Sequence, residues 1–284
     1  LLPPVGELIY PAGSDYSKII NALPSGWTKT AGFILTVTFN TGDSMTAKIT
    51  DALTHANPDK KLYTTIQITG NATEISDDDW NALRDCYHDN SEWENLTDLD
   101  LSGMTQLTKI AGLNENSSSF RKNMGRLINA TLPEQISAIE SFAFSDCFNL
   151  KLNNLPNSLT TIGDGAFSGN AFTELVIPDS VTSIGNSAFS GCSDLATVKL
   201  PKNLKNFGSR VFAYCSKLQS IDISGENENF KAVSGDLYNK NVTKLIQYAV
   251  GKETDLFEIP ATVTEIGDYA MVYAMKTNTV RIAE

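Results

Sequence analysis

Leu175 to Cys192 reads LVIPDSVTSIGNSAFSGC, and its order of strand, proline, aliphatic, Ile-Gly, Ala-Phe and Cys recurs along the chain. The copies are LPEQISAIESFAFSDC from Leu132, LPNSLTTIGDGAFSGN from Leu155, IPDSVTSIGNSAFSGC from Ile177, LPKNLKNFGSRVFAYC from Leu200 and IPATVTEIGDYAMVYA from Ile259. Pro133, Pro156, Pro178 and Pro201 fall 23, 22 and 23 residues apart, and Phe144, Phe167, Phe189 and Phe212 keep the same spacings. A period in the low twenties is the signature of a solenoid. A unit this short cannot bury its apolar face alone, so each copy must stack on the next and the core must run along the array.

Within the unit from Leu195 to Cys215, Val198 and Leu200 alternate with Thr197 and Lys199, the period of a strand with one face buried. Pro201 removes the next ladder donor and fixes φ, so the strand must end there. Leu204 and Phe207 point inward along a second short extended run. The glycine that usually follows, as in Ile162-Gly163, Ile184-Gly185 and Ile266-Gly267, lets the backbone turn again. Asp164 to Phe167 and its equivalents are expected to form a short helical or 3₁₀ turn that places Ala and Phe in the core.

This pattern resembles the BspA-like leucine-rich repeats of bacterial surface proteins, whose unit runs roughly L-x-x-I-x-I-P-x-S-V-T-x-I-G-x-x-A-F-x-x-C. Five units match with proline, glycine, Ala-Phe and the cysteine position in register. The resemblance implies a curved leucine-rich-repeat solenoid with one parallel strand per coil, short 3₁₀ or helical turns opposite, and an irregular N-terminal cap. Ile221 to Gly251 resembles the insert-bearing units of that family, with Asp236-Leu237-Tyr238 and Lys244-Leu245-Ile246 expected to form a hairpin around Asn239 to Asn241.

Upstream the repeat decays. Leu96 to Gly103 (LTDLDLSG) and Thr64 to Gly70 (TTIQITG) keep a strand and turn, and Ser76 to Cys86 (SDDDWNALRDC) reads as a helix capped by Ser76, with three aspartates where the helix dipole favours acids. The array is placed at 59–284, with atypical first units because a solenoid end needs a cap. Residues 1–58 are assigned to a capping or linker region, an independent small domain being the other reading. In it Ile34 to Phe39 is a strand, Ser44 to Leu53 an amphipathic helix over the first coil, and Pro3, Pro4, Pro11, Gly13 and Pro24 mark an irregular lead-in.

Composition narrows the class. The 284 residues are 41% hydrophobic without an apolar run long enough to span a bilayer as a helix. With 22 basic against 33 acidic residues the net charge is −11, and no basic cluster is present to neutralise phosphates, so nucleic acid is not an expected partner. Leu1-Leu2-Pro3-Pro4 lacks the charged start of a signal peptide; the resemblance implies an exported chain, at the cell surface or extracellular, from which such a signal has been removed. Cys147, Cys192 and Cys215 share one repeat position, taken by Asn170 and Ala274 in other copies. Adjacent coils would bring Cys192 and Cys215 within about 5 Å, within reach of a bond, but the substitutions mark a buried small side chain and free thiols are expected.

No catalytic constellation emerges, and the chain is expected to be neither an enzyme nor the holder of a metal or cofactor. His55 and His88 have no second ligand at helical spacing. Cys86-Tyr87-His88 lacks the alignment a nucleophile and its base require, and Asp77-Asp78-Asp79 lacks the spacing and glycine of a calcium loop.

Function then rests on the face built by outward strand residues: Thr65, Gln67, Asp98, Asp100, Asn129, Thr131, Asn154, Glu174, Val176, Thr197, Lys199, Ser220, Asp222 and Glu258. It is polar and acidic, which suits hydrogen bonding to a protein surface better than stacking on sugar rings; the alternative is that these are solvated strand residues and nothing more. The resemblance implies a monomeric, non-catalytic adhesion module that binds host matrix or bacterial surface proteins. A spacer within a larger surface protein is the alternative.

Overall fold

The computed structural model of the chain describes residues 33–56, 60–88, 91–112, 124–152 and 154–283. The proline-rich lead-in at 1–32 lies outside them.

The alternating segments stack as parallel strands. Phe33–Thr38, Tyr63–Gly70, Asp98–Met104 and Asn129–Thr131 form one sheet, Glu174–Val176, Thr197–Leu200 and Ser220–Ile223 a second, and Thr254–Ile259 and Thr277–Ile282 a third. Phe33–Thr38 pairs in parallel with Tyr63–Gly70. The ladder therefore begins before the 58/59 boundary drawn from the sequence, because Leu35 and Val37 are buried in the same core as Ile66 and Ile68. The segments after the prolines form a second parallel ladder of two-residue strands: Lys109–Ile110, Ala138–Ile139, Thr161–Ile162, Ser183–Ile184 and Asn206–Phe207. Each of these coils thus adds a short strand to the one expected.

The third side of the coil consists of consecutive hydrogen-bonded turns. In one coil Ala166 N donates to Gly163 O at 3.3 Å and Ser168 N to Gly165 O at 3.0 Å. Gly165 and Gly169 have φ of 58° and 76°, in the left-handed region that glycine enters without steric cost. Alternate N–H groups are consequently available to the neighbouring coil: Phe142, Phe144 and Asp146 donate to Asp164, Ala166 and Ser168, and Gly165, Phe167 and Gly169 donate to Asn186, Ala188 and Ser190. A continuing helix would have kept those donors inside the coil. The glycine of Ile-Gly has another role than the backbone freedom expected of it. A Cβ on Gly185 would stand 2.5 Å from Asp164 N, so this glycine is required by close coil-to-coil approach.

The core follows the repeat. Phe144, Phe167, Phe189 and Phe212 are buried in a column, with successive ring centroids 5.6, 5.5 and 5.8 Å apart and near-parallel planes. The four cysteines are free and buried. Cys192 Sγ donates to Phe167 O at 3.3 Å, Cys215 Sγ to Phe189 O at 3.2 Å, and Asn170 Nδ2 to Phe144 O at 2.7 Å. Cysteine and asparagine alternate at this position because both offer a compact donor to the carbonyl of the preceding coil.

Two helices occupy the N-terminal end. Helix α1 (Met45–His55) is capped by Ser44 and buries Met45, Ile49 and Leu53. Helix α2 (Asp77–Tyr87) is capped by Ser76, whose side chain accepts from Asp79 N, and buries Trp80, Leu83, Arg84, Cys86 and Tyr87. Asp79 also accepts from Met45 N at 2.6 Å, tying the helices together. Trp80 meets Phe144 edge-on at 5.5 Å, extending the phenylalanine column by one ring.

The insert-bearing unit contains the expected hairpin, Asp236–Asn239 against Lys244–Gln247, and a second in which Phe230–Val233 pairs with Asp236–Asn239 across Ser234-Gly235. Both turn residues have positive φ, 51° and 81°, the geometry that suits a two-residue hairpin.

Candidate protein-binding face

The parallel register sets the outward residues side by side. Thr65, Asp98 and Asn129 form one row and Gln67, Asp100 and Thr131 the next. In the second sheet Glu174, Thr197 and Ser220 align, as do Val176, Lys199 and Asp222. Glu258 lies opposite Arg281 in the third. Asn154 is exposed but belongs to no strand, and it sits in the irregular stretch between the first and second sheets. The face is therefore three sheets in succession.

Sequence reasoning stopped short of its ends. Thr36 pairs with Gln67 and Ile34 with Thr65, so both extend the rows upstream, and Ile34 is 55% exposed. Downstream, Arg281 forms an ion pair with Glu258 and reduces the acidic character there. The alternation of Ile34, Thr36 and Thr38 with Leu35 and Val37, and of Arg281 with Val280 and Ile282, carried this signal.

The acids of the first sheet are held by their neighbours. Gln67 Nε2 donates to Asp100 Oδ2 at 2.9 Å, Asn129 Nδ2 to Asp98 Oδ1 at 2.7 Å, and Ser102 N to Asp100 Oδ1 at 2.9 Å. Partial burial works against the charge on Asp100, yet the bonds from Ser102 and Gln67 outweigh it and hold the carboxyl below its ordinary range. Both carboxylates are thus fixed in place, and Asp100 is ionised near neutral pH.

Among the described residues nothing comparable assembles around the reactive residue types. A hollow of about 460 Å³ between α1 and α2 is lined in part by Asp85, Cys86, Lys60 and Trp93. Burial pushes the Cys86 thiol up to about 12, so it stays protonated and is a poor nucleophile. Cys147 and Cys192 are likewise pushed up to about 12 by burial. Among the described residues no group of three or more His, Cys, Asp or Glu side chains is placed to hold a metal ion, and no helix is long and apolar enough to cross a membrane.

Residues 116–241 match the BspA type leucine-rich repeat region in six copies. This part of the chain is a BspA-type leucine-rich repeat array. The match takes in the insert as far as Lys240 and Asn241, and parallel strands lie on either side of it. A search of curated proteins returned no match. Among solved structures, a leucine-rich repeat protein from Eubacterium ventriosum is similar over 87% of this chain and 57% of its own, with 19% identity and a TM-score of 0.54. A leucine rich cell surface protein from Faecalibacterium prausnitzii aligns over 74% of this chain and 64% of its own (20% identity, TM-score 0.49), and the pneumococcal vaccine antigen PcpA over 67% and 51% (22% identity, TM-score 0.45). The chain thus spans little more than half of the Eubacterium protein. Repeats of this family are in general protein-interaction modules and typically non-catalytic.

Proposed function

We propose that this chain is a non-catalytic protein-binding module displayed at a bacterial cell surface, and that its strand face receives a protein partner with a basic surface. The observation that carries this reading is the fixed pair of carboxylates in the first sheet. Asp98 and Asp100 are held by Asn129 and Gln67, so their charges are presented without the entropy cost of ordering them on contact. Glu174 and Asp222 continue the acidic character in the second sheet, and the net charge of −11 adds a long-range attraction for a basic protein.

Electrostatic complementarity acts mainly on the association rate and weakens with salt. The triple change of Asp98, Asp100 and Glu174 to Lys is expected to slow association with a basic matrix protein, to flatten its salt dependence, and to leave the melting temperature nearly unchanged, since exposed charges contribute little to stability. If binding survives that change but disappears when Glu226 to Lys240 is altered, the insert is the contact and the strand-face reading is abandoned.

The spacer reading has one observation in its favour. The same bonds that fix Asp98 and Asp100 use hydrogen-bonding capacity along the sheet, as a stiffening polar ladder would. A chain that binds no basic protein and loses stability when Gln67 and Asn129 are replaced would support it.

A further inference from the structure

The turn side of the coils presents a second surface, at two positions per turn that lie in the left-handed region. Along the stack these pairs are Phe142 and Asp146, Gly165 and Gly169, Ser187 and Gly191, Arg210 and Tyr214, and Tyr269 and Tyr273. Glycine adopts this backbone freely, whereas a tyrosine there is strained. Burial does not explain why three tyrosines occupy it: Tyr214, Tyr269 and Tyr273 are 47%, 47% and 51% exposed. Backbone strain kept at exposed side chains is a sign of use.

The unit between the last two turns carries the hairpins instead, and Tyr214 meets Tyr273 directly, with ring centroids 4.2 Å apart. The Arg210 guanidinium lies 3.6 Å over the Tyr269 ring. At the other end of the same edge Phe148 is 51% exposed, and its ring lies 3.3 Å from where a Cβ on Gly169 would stand. The next turn is open: a Cβ on Gly191 would meet only the Gly169 backbone, at 3.6 Å and beyond. The edge has exposed aromatic rings at both ends, with the Asp146 carboxylate 3.1 Å from the Cβ position of Gly169 and open space over Gly191.

We propose that this edge binds an extended neutral oligosaccharide, whose flat pyranose faces stack on Phe148 at one end and on Tyr214 and Tyr273 at the other while the chain crosses Gly169 and Gly191. Neighbouring coils are spaced by about 4.8 Å, close to the advance per sugar unit in an extended β-1,4-linked chain, so the edge accepts one ring per coil. Tyrosine supplies both an apolar face for the sugar C–H groups and a hydroxyl for its oxygens. The net charge of −11 disfavours sulfated or carboxylated glycans. A protein partner would seek a recess in which to bury an anchor side chain, and the glycine turns present a flat floor.

The test is calorimetric titration of the full chain with cellohexaose and chitohexaose, repeated on Tyr214→Gly/Tyr273→Gly. Glycine is the residue at Gly169 and Gly191, and relief of the left-handed backbone offsets the lost Tyr214–Tyr273 contact, so the variant is expected to melt close to the parent while its affinity falls at least tenfold. Heparin oligosaccharide is expected to bind no better than the neutral sugars. If the variant does melt lower, Phe148→Ser at the opposite end decides: a similar loss supports the proposal, and unchanged affinity overturns it. Failure of both neutral sugars to bind the parent at millimolar concentration, undiminished binding by the glycine variant, or a preference for heparin also overturns it. So does a protein ligand lost on the glycine variant when neither sugar binds, which would make the edge a protein contact.

Discussion

Arg84 is charged and 1% exposed, and its removal measures what closes the N-terminal end of the stack. In the turn ladder each coil accepts N–H groups from the coil before it at three carbonyls, such as Asp164, Ala166 and Ser168. The equivalents one coil earlier are Ser141, Ala143 and Ser145, where α2 takes the place of a preceding turn. Arg84 Nη1 donates to Ala143 O at 2.9 Å and Nη2 to Ser145 O at 3.1 Å, while Trp80 Nε1 donates to Ala143 O at 3.0 Å. Side-chain donors from α2 substitute for the ladder.

In Arg84→Met the Ser145 carbonyl loses its charged donor and keeps only the long contact from Cys147 Sγ at 3.8 Å; a buried acceptor left unmet costs about 1–3 kcal/mol, and this weak donor recovers little of it. Ala143 keeps Trp80. Part of the cost is returned because burial disfavours the guanidinium charge, as its lowered pKa indicates, so the net loss should be about 1–2 kcal/mol. Trp80→Phe alone leaves Ala143 served by Arg84. The double variant strips Ala143 of both its donors and should therefore lose more than the sum of the single variants, by about 0.5–2 kcal/mol. Urea melts of the four proteins give that coupling, and hydrogen exchange at the amides of Phe144 and Asp146 localises it, because a stack of repeats can open from its end. Single losses that add to within about 0.5 kcal/mol, or exchange that rises elsewhere first, would refute the capping role.

Two further outcomes follow from the core. Phe189 is fully buried between Phe167 and Phe212, so Phe189→Ala should cost about 3–5 kcal/mol in a reversible melt, and a loss under about 1 kcal/mol would contradict the register. The thiols of Cys86, Cys147 and Cys192 are raised from 9.0 to about 12. Their folded-state preference for the protonated form is complete below pH 9, where the unfolded chain is protonated too, and it is lost as pH rises towards 12 because the unfolded chain releases its protons first. Stability should fall across that window and fall less steeply in Cys192→Ala; a flat profile would show that these thiols are reached by solvent.

What could be read in the sequence is what has its partner one coil away. Proline, Ile-Gly, Ala-Phe and Cys recur because each meets the same residue type in the next copy, and a period of 22 or 23 residues makes that contact visible without a structure. The helices were legible for a local reason, since Ser44 and Ser76 bond within their own first turns. The second hairpin carried a signal in Ser234-Gly235 between two short runs, and only its shortness hid it. Arg84 had none: in SDDDWNALRDC it reads as a surface cation suited to the end of a helix, and its acceptors lie 59 and 61 residues further on. The tyrosines at 214 and 273 differ again, since their positions are legible from Gly169 and Gly191 while their residue type departs from what the backbone prefers. A repeat thus makes its own exceptions conspicuous. Where other coils hold glycine and the chain holds a half-exposed tyrosine, the contact of Tyr214 with Tyr273 uses only part of each ring, and a surface role for the remainder is the next cause to test.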